Sequence, residues 1–217
     1  MIGKTGNIIL KKAGLCFSLL MMLLNFSACK AVTAVSDVQT PAASTSAAAS
    51  NQSHILVAYF SCTGNTQKAA QTIAGATRAD LYQIIPAEPY TSADLDYNNK
   101  SSRTTSEMND VSVRPAIQGT VENFDKYDIV FLGYPIWWGD APRIIDTFLE
   151  SYDFTGKTII PFCTSGQSDI STSESNLKGL SHLQGVQVTW LDGKRLSADV
   201  SETDVIAWIN SMNLKVQ

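Results

Sequence analysis

Histidine is scarce in this sequence, and neither of the two histidines stands in a catalytic or metal-binding pattern. His54 precedes an apolar segment, His182 lies in a polar stretch, and no cysteines and histidines are spaced like zinc ligands. Ser61 likewise has no neighbouring base that could activate it as a nucleophile. We therefore predict no catalytic residue set and no metal site, so any demanding chemistry has to come from a bound cofactor.

Basic runs are also missing from the chain. It carries 16 Lys and Arg against 20 Asp and Glu, which gives a formal net charge of −4. Nucleic-acid-binding domains usually carry clustered positive charge, so no nucleic acid partner is predicted. With 217 residues, 44% of them hydrophobic, the chain is large enough for one α/β domain with a full core.

No apolar run reaches the roughly 20 residues of a comfortable membrane-spanning helix. The apolar run Ala13–Phe26 follows Lys4, Lys11 and Lys12 and leads into Ser-Ala-Cys29, which is typical of a secretory signal. The segment ending at Cys29 resembles the lipobox of bacterial lipoproteins. This resemblance implies a signal peptide over 1–28, a lipidated Cys29, and export to the outer membrane or cell surface. A plain signal peptide or an uncleaved anchor is the alternative.

Residues 29–53 consist largely of Ala, Ser, Thr and Val. Such a segment buries too little apolar surface to offset its loss of conformational entropy on folding. We predict that it is a flexible tether and that the folded domain extends over residues 54–217.

A polar loop between a strand and a helix is the most informative stretch of the chain. The apolar segment Ile55–Phe60 is followed by Ser-Cys-Thr-Gly-Asn-Thr, residues 61–66, and then by a helical pattern that starts at Gln67. This arrangement directs free backbone amides and the helix dipole at an anion. Because the loop contains no lysine, it differs from a nucleotide-hydrolase loop. We expect neutral donors to hold a phosphate here, namely the hydroxyls of Ser61, Thr63 and Thr66 together with main-chain amides.

Two adjacent tryptophans follow a second apolar strand. Trp137 and Trp138 lie between Pro135 and Gly139, where consecutive side chains on an extended segment point in opposite directions. Both cannot fill the same core, so at least one is predicted to stack on a flat ligand ring, while the other packs beneath the loop or faces a partner.

A helix is predicted directly after the tryptophan loop. Asp140 is expected to cap it, with Pro142 in the first turn. Arg143 is predicted to be exposed, on a solvated face or against a pyridine-nucleotide phosphate.

Five apolar segments alternate with helical patterns, which predicts a doubly wound parallel sheet with helices on both faces. In the fourth segment Pro161 cannot donate to a central ladder, so a bulge or an unpaired side is expected there. A polar helix is expected around 101–111. The last helix is expected to be capped by the segment that starts at Ser201 and to bury Val205, Ile206, Ile209 and Met212 on one face. The five predicted strands are Ile55–Phe60, Ala79–Ile85, Tyr127–Gly133, Lys157–Cys163 and Gly185–Leu191.

The S-x-T-G-N-T loop after the first strand and the G-Y-P-I-W-W-G segment resemble the flavodoxin family over the whole predicted domain. The resemblance implies a three-layer sheet in the order 2-1-3-4-5 and a bound FMN. In that order strands 1 and 4 are not neighbours, so Cys62 and Cys163 lie too far apart for a disulfide. The implied FMN-binding residues are Ser61, Thr63, Gly64, Asn65, Thr66, Pro135, Ile136, Trp137, Trp138, Gly139, Thr164, Ser165, Gly166 and Ser168.

Two functions remain open from the sequence. The first is an FMN-dependent redox protein, either an electron carrier or a reductase, with NAD(P)H or a protein as donor and a quinone-like acceptor. A phosphate loop without cations would disfavour reduced, anionic flavin and so lower its potential. The long connection 86–126 favours the reductase, and Tyr90 and Tyr97 either cover the cofactor or pack at the surface. The alternative is a flavin-free binding or scaffold module on the same fold.

Overall fold

The structure, a computed structural model, describes residues 53–214. The predicted signal peptide, Cys29 and nearly all of the predicted tether lie outside the described residues. The strands are β1 Ile55–Tyr59, β2 Asp80–Gln83, β3 Ile85–Pro86, β4 Ile117–Gln118, β5 Ile129–Pro135, β6 Thr158–Thr164, β7 Thr189–Trp190 and β8 Lys194–Arg195. The α-helices are α1 Asn65–Thr77, α2 Arg103–Asn109, α3 Arg143–Glu150, α4 Ser171–Lys178 and α5 Glu202–Ser211.

The main sheet is parallel and runs in the order β2-β1-β5-β6-β7, with β8 also paired to β6. The predicted fold class and strand order are thereby confirmed. The short strands β3 and β4 pair with each other in antiparallel fashion inside the long connection. Every residue of β1 is buried, as expected for a strand covered on both faces.

Alternate residues of the central strands feed two separate cores. Val57 of β1 and Phe131 of β5 pack on the side that α1 and α5 cover. Leu56 and Val130 point the other way, toward α3, α4 and the connection after β2. This period of two places helices on both faces of the sheet and leaves the carboxyl ends of the strands as a common edge.

The predicted fifth strand is shorter than expected and is split into two pieces. Ile159 pairs with Trp190 and Phe162 pairs with Lys194, so three steps along β6 match four steps along its neighbour. The extra residue forms a bulge opposite Pro161, which has no amide hydrogen to donate. Gly193 lies in this bulge because a Cβ there would stand 2.8 Å from Pro161 Cγ.

Two helices differ from their predicted burial. The helix α2 falls within the predicted range, but it is not simply polar and exposed, because four of its seven residues are buried. The last helix is capped by Ser201 and buries Val205 and Ile209 as predicted. Ile206, however, is 41% exposed, and Trp208 takes its place in the core against the Phe131 ring.

Cys62 and Cys163 are both free thiols, as the strand order predicts. Within residues 53–214, no helix is long and apolar enough to cross a membrane. The same residues contain no cluster of three or more His, Cys, Asp or Glu that could hold a metal ion.

Candidate functional site

The polar loop after β1 ends in the amino terminus of α1. Gly64 precedes the helix at φ 86°, and no side chain caps the first-turn amides. These amides have no acceptor within the helix and remain available to a ligand. The Ser61 hydroxyl accepts a hydrogen bond from Gly64 N at 3.1 Å, which closes the loop on itself. The loop therefore has the form of an anion site built from neutral donors.

A cleft at the carboxyl edge of the sheet has two adjoining parts, which share Thr63 and Pro135. We name the apolar part the apolar hollow; its volume is about 460 Å³. It is lined by residues from the loop after β1, the long connection and the segment after β5, namely Ser61, Cys62, Thr63, Thr66, Leu95, Tyr97, Thr104, Pro135, Ile136, Trp137 and Trp138.

The second part, the polar hollow, has a volume of about 530 Å³ and is lined mainly by polar groups. Both volumes are in the range of small-molecule and cofactor sites. The residues of the polar hollow are Thr63, Asn65, Pro135, Thr164, Ser165, Gly166, Arg195, Leu196, Ser197 and Ala198.

The two tryptophans stand in a tight two-residue turn. Trp137 and Asp140 exchange backbone hydrogen bonds of 2.9 Å, and Trp138 and Gly139 between them have φ values of 49° and 83°. Positive φ at both central residues is the geometry of a type I′ turn. Glycine adopts it freely, whereas a tryptophan is strained there. Trp138 is 48% exposed and lines the apolar hollow.

Trp137 is fixed from behind by two aromatic rings. Its ring centroid lies 5.5 Å from Phe60 and 5.4 Å from Tyr90, both in edge-to-face contact. Contacts of this kind contribute about 0.5–1.5 kcal/mol each beyond area burial. The side chain of Trp137 is thus held in place and forms a preorganised wall of the apolar hollow.

Tyr90 is in turn held by a small charged group from α2. Its hydroxyl donates to Glu107 at 2.6 Å, and Arg103 Nε donates to the other carboxylate oxygen at 2.7 Å. The Arg103 guanidinium also lies 4.0 Å from the centroid of the Tyr90 ring. Burial and the Glu107 carboxylate raise the pKa of Tyr90, so its hydroxyl keeps the proton that it donates. Tyr97, by contrast, is 74% exposed at the rim of the hollow.

The prediction of an exposed Arg143 is wrong. Its side chain is buried and contacts Asp140 at 3.1 Å, Asp146 at 3.5 Å and the Met108 carbonyl at 3.4 Å. Its Nε is buried without a hydrogen-bond partner. The residue therefore connects the tryptophan turn to α3 and α2 and is not available to a nucleotide phosphate.

The predicted cap of α3 also differs in detail. The cap position is Pro142, without a side-chain bond to the helix amides. Asp140 instead accepts from the backbone of Ala141 and from the Arg143 guanidinium. Because Arg143 draws the carboxylate to itself, Asp140 supports the turn and not the helix terminus.

One carboxylate beneath the turn has an unusual titration. Burial raises the pKa of Asp146 to about 6, although the nearby Arg143 and Arg114 lower it in part. Arg114 donates two hydrogen bonds of 2.8 Å to Glu150 and two more to the Val111 and Val113 carbonyls, and its guanidinium lies 3.6 Å from Asp146.

The loop after β6 is held by fewer contacts. The hydroxyls of Thr66 and Thr164 lie 2.7 Å apart, which joins the start of α1 to the end of β6. Arg195 donates to the Gly166 carbonyl at 3.3 Å, and Ser165 donates to the Ser168 carbonyl. Most of this loop is exposed.

The structure brings most of the predicted site residues together at one edge of the sheet. Those lining the cleft are Ser61, Thr63, Asn65, Thr66, Pro135, Ile136, Trp137, Trp138, Thr164, Ser165 and Gly166. Gly64, Gly139 and Ser168 do not line it, but they shape the turns beside it.

Sequence reasoning missed two contributions to the cleft. Leu95 and Thr104 come from the long connection, whose path the sequence pattern does not give. Arg195 follows the bulge of the split fifth strand. Ligand residues usually follow the carboxyl ends of parallel strands. This rule would have indicated Arg195 if the predicted fifth strand had ended after Leu191.

The donor set of the cleft fits a phosphorylated ring compound such as FMN. The phosphate end would have first-turn amides and hydroxyls, and the ring would have apolar and aromatic walls. Thr66 is buried and already bonded to Thr164, so it contributes mainly by fixing the loop.

Comparison with known proteins gives a consistent result. The family model described as flavodoxin matches residues 54–212. The structure of a candidate flavoprotein from Bacteroides eggerthii is 49% identical, with a TM-score of 0.71, over 76% of this chain and all of that one. A candidate flavoprotein from Bacteroides uniformis is 45% identical, with a TM-score of 0.68, over 73% of this chain and 99% of that one.

A more distant structure shares the fold. A flavoprotein from Lactobacillus acidophilus in complex with FMN is 20% identical, with a TM-score of 0.56, over 72% of this chain and 99% of that one. Among curated proteins, none matches the sequence significantly.

Proposed function

Because this chain belongs to the flavodoxin family, we propose that it binds FMN in the cleft at the carboxyl edge of its sheet and acts as a redox protein. One observation carries the proposal: an anion site formed by the neutral loop after β1 and the start of α1 adjoins a hollow walled by two tryptophans. The FMN complex of the Lactobacillus protein supports the choice of ligand.

The phosphate is assigned to the loop after β1. The exposed Thr63 hydroxyl and the first-turn amides of α1 would donate to it, and the helix dipole favours its charge. Ser61 and Thr66 keep the loop in shape through their bonds to Gly64 and Thr164. The Thr164–Ser168 loop is assigned to the polar edge of the ring.

The ring face is assigned to the tryptophan turn. Trp137 is fixed against Phe60 and Tyr90, and Trp138 is presented at the rim by its positive φ. A ring stacked here needs no movement of Trp137, which lowers the entropic cost of binding.

Flavin-dependent reduction of a small acceptor is favoured over pure electron transfer. Leu95, Tyr97 and Thr104 of the long connection line the apolar hollow, so this connection partly covers the place assigned to the ring. A carrier that meets protein partners needs an exposed ring edge and no such cover. We infer a quinone-like acceptor, with NAD(P)H or a reduced protein as donor. Bound FMN would supply the chemistry by accepting two electrons from the donor and passing them to the acceptor.

We also propose that the protein works outside the cytoplasm, tethered to the cell envelope through Cys29. The basic residues, short apolar run and Cys of the first 29 residues support this placement. Retention of a radiolabelled lipid by the full chain, and its loss in a Cys29→Ala variant, would test it.

The direct test of the cofactor is a titration with FMN and with riboflavin, using the chain from Asn51 onward. The Bacteroides eggerthii protein, whose whole length corresponds to 76% of this chain, indicates that such a piece folds alone. We expect FMN to bind stoichiometrically with quenching of tryptophan fluorescence, and more tightly than riboflavin, which lacks the phosphate. Oxidation of NADH or NADPH with a quinone then separates reductase from carrier.

A matched pair of variants locates the phosphate. Thr63→Asp should weaken FMN binding at least about tenfold, or 1.4 kcal/mol, because its carboxylate repels the phosphate, and should leave riboflavin binding nearly unchanged. Thr120→Asp adds the same charge at an exposed position away from the cleft and should leave both affinities as they are. A folded sample that binds neither ligand at high micromolar concentration would leave the flavin-free binding or scaffold module as the better explanation.

A further inference from the structure

Arg195 is the one charged residue that lines either hollow, within the part of the chain that the structure describes. It stands at the end of β8, paired with Cys163 of β6, so it projects at the carboxyl edge of the sheet beside Thr164. Its guanidinium donates to the Gly166 carbonyl at 3.3 Å. The side chain is therefore held against the loop to which the polar edge of the ring is assigned.

The charge of Arg195 is not cancelled inside the cleft. Neither hollow is lined by an Asp or Glu. The nearby acidic group is Asp169, which is exposed and whose pKa is lowered mainly by its bonds to Ser171, with Arg195 as the last and smallest contribution. An approaching negative charge in the polar hollow would thus meet the guanidinium directly.

We propose that Arg195 stabilises the negative charge that FMN acquires on its ring when it is reduced, so that the bound cofactor has a higher potential than the neutral phosphate loop alone would give. The inference rests on the proposed function. In reduced flavin this charge spreads over the pyrimidine edge of the ring, the part assigned to the Thr164–Ser168 loop. A cation at this edge favours the reduced, anionic form over the neutral oxidised form. The proposal therefore gives a higher expected potential than the loop alone predicts.

The chain offers a matched control one residue away. Lys194 precedes Arg195 on β8, and adjacent strand residues point to opposite faces. Lys194 Nζ lies 5.9 Å from the Trp208 ring and lines a separate hollow with it. Lys194→Gln and Arg195→Gln therefore make the same change in net charge, but only the second removes a charge from the cleft.

The experiment measures the midpoint potential of bound FMN and the dissociation constant of oxidised FMN for the wild type and both variants. In Arg195→Gln we expect reduced FMN to lose about tenfold in affinity relative to oxidised FMN, which lowers the two-electron potential by about 30 mV. The shift should be present at about pH 8 and smaller at about pH 5, where the reduced ring is protonated. Arg195→Lys should keep a midpoint potential close to that of the wild type, and Lys194→Gln should change the potential little.

Three results would overturn the proposal. Equal shifts in both Gln variants would show an effect of net charge alone. An unchanged potential in Arg195→Gln, with weaker binding of oxidised FMN but not of riboflavin, would place Arg195 at the phosphate. An unchanged potential with unchanged affinity would remove Arg195 from the site. These results all require FMN to bind, so they differ from failure of the proposed function, in which the wild type binds no FMN and both proposals fall.

Discussion

The two walls of the cleft are built in different ways. The tryptophan turn, residues 137–140, rests on Phe60, Tyr90 and a buried set of charges around Arg143. The loop after β6, residues 164–169, is mostly exposed and relies on the bond between Thr66 and Thr164 and on the long contact from Arg195. One wall is thus fixed by the interior of the protein, while the other is attached to it at a few points.

This difference suits the two kinds of recognition that a flavin needs. Stacking on a flat ring depends on the position and tilt of the aromatic wall, so a rigid wall loses little entropy on binding. Hydrogen bonds to a polar edge whose charge changes on reduction require groups that can adjust. We infer that the rigid wall determines whether the ring binds and that the looser wall responds to its redox state.

The largest expected effect comes from equivalent changes at the two arginines of the two walls. Arg143→Gln should destabilise the fold by about 3–5 kcal/mol, because it leaves Asp146 buried with incomplete compensation. Arg195→Gln should change the free energy of unfolding by less than about 0.5 kcal/mol, because the residue is exposed. Urea unfolding of both variants measures the difference. If both variants lose a similar free energy of unfolding, the two walls do not differ in rigidity as proposed.

A smaller effect concerns the pH dependence of the rigid wall. Because burial raises the pKa of Asp146 to about 6, above the roughly 3.9 of an unfolded Asp, its contribution to stability is present below about pH 4 and is lost as the pH rises through 6. Asp146→Asn mimics the protonated acid at every pH. As the pH rises from 4 to 7, the free energy of unfolding of the variant should therefore increase relative to that of the wild type by up to about 3 kcal/mol.

Urea unfolding at a series of pH values measures this gain. The difference in the free energy of unfolding between variant and wild type could instead stay constant or fall as the pH rises. That result would mean that Arg143 and Arg114 keep Asp146 ionised, so that ion pairs hold the wall at all pH values.

The smallest expected effect separates stability from binding within the tryptophan turn. Trp138→Asn should stabilise the fold by about 1 kcal/mol, because asparagine before glycine suits a type I′ turn and the strain at positive φ is relieved. The melting temperature should rise by about 2–4 °C, while FMN binds more weakly. Trp137→Asn, the matched change at the half-buried neighbour, should lower the melting temperature. If Trp138→Asn lowers it too, the turn is not strained.

The main features of the fold follow from local patterns in the sequence. Hydrophobic periodicity and turn-forming residues are enough to predict the apolar strands, the helix with a stripe of small residues after Thr66, and the polar loop between them. The same holds for Ser201 as the cap of the last helix. For these features the determining contacts lie within a few residues along the chain.

The arginines show where such reasoning ends. Arg143 has an exposed pattern, but its side chain is buried and donates to the Met108 carbonyl, 35 residues away. Arg195 joins the site because the bulge shifts its strand and because Gly166 lies nearby in space. Both positions result from contacts between distant segments, which neither residue spacing nor hydrophobic periodicity records.

The bulge opposite Pro161 also affects how readily the protein can aggregate with other copies of itself. Together β7 and β8 form one outer edge of the main sheet, where unpaired backbone groups are a template for strands of other chains. Each piece is two residues long, and the extra residue breaks their register, so an incoming strand would find no continuous ladder. At high protein concentration this edge is therefore protected against β-sheet aggregation.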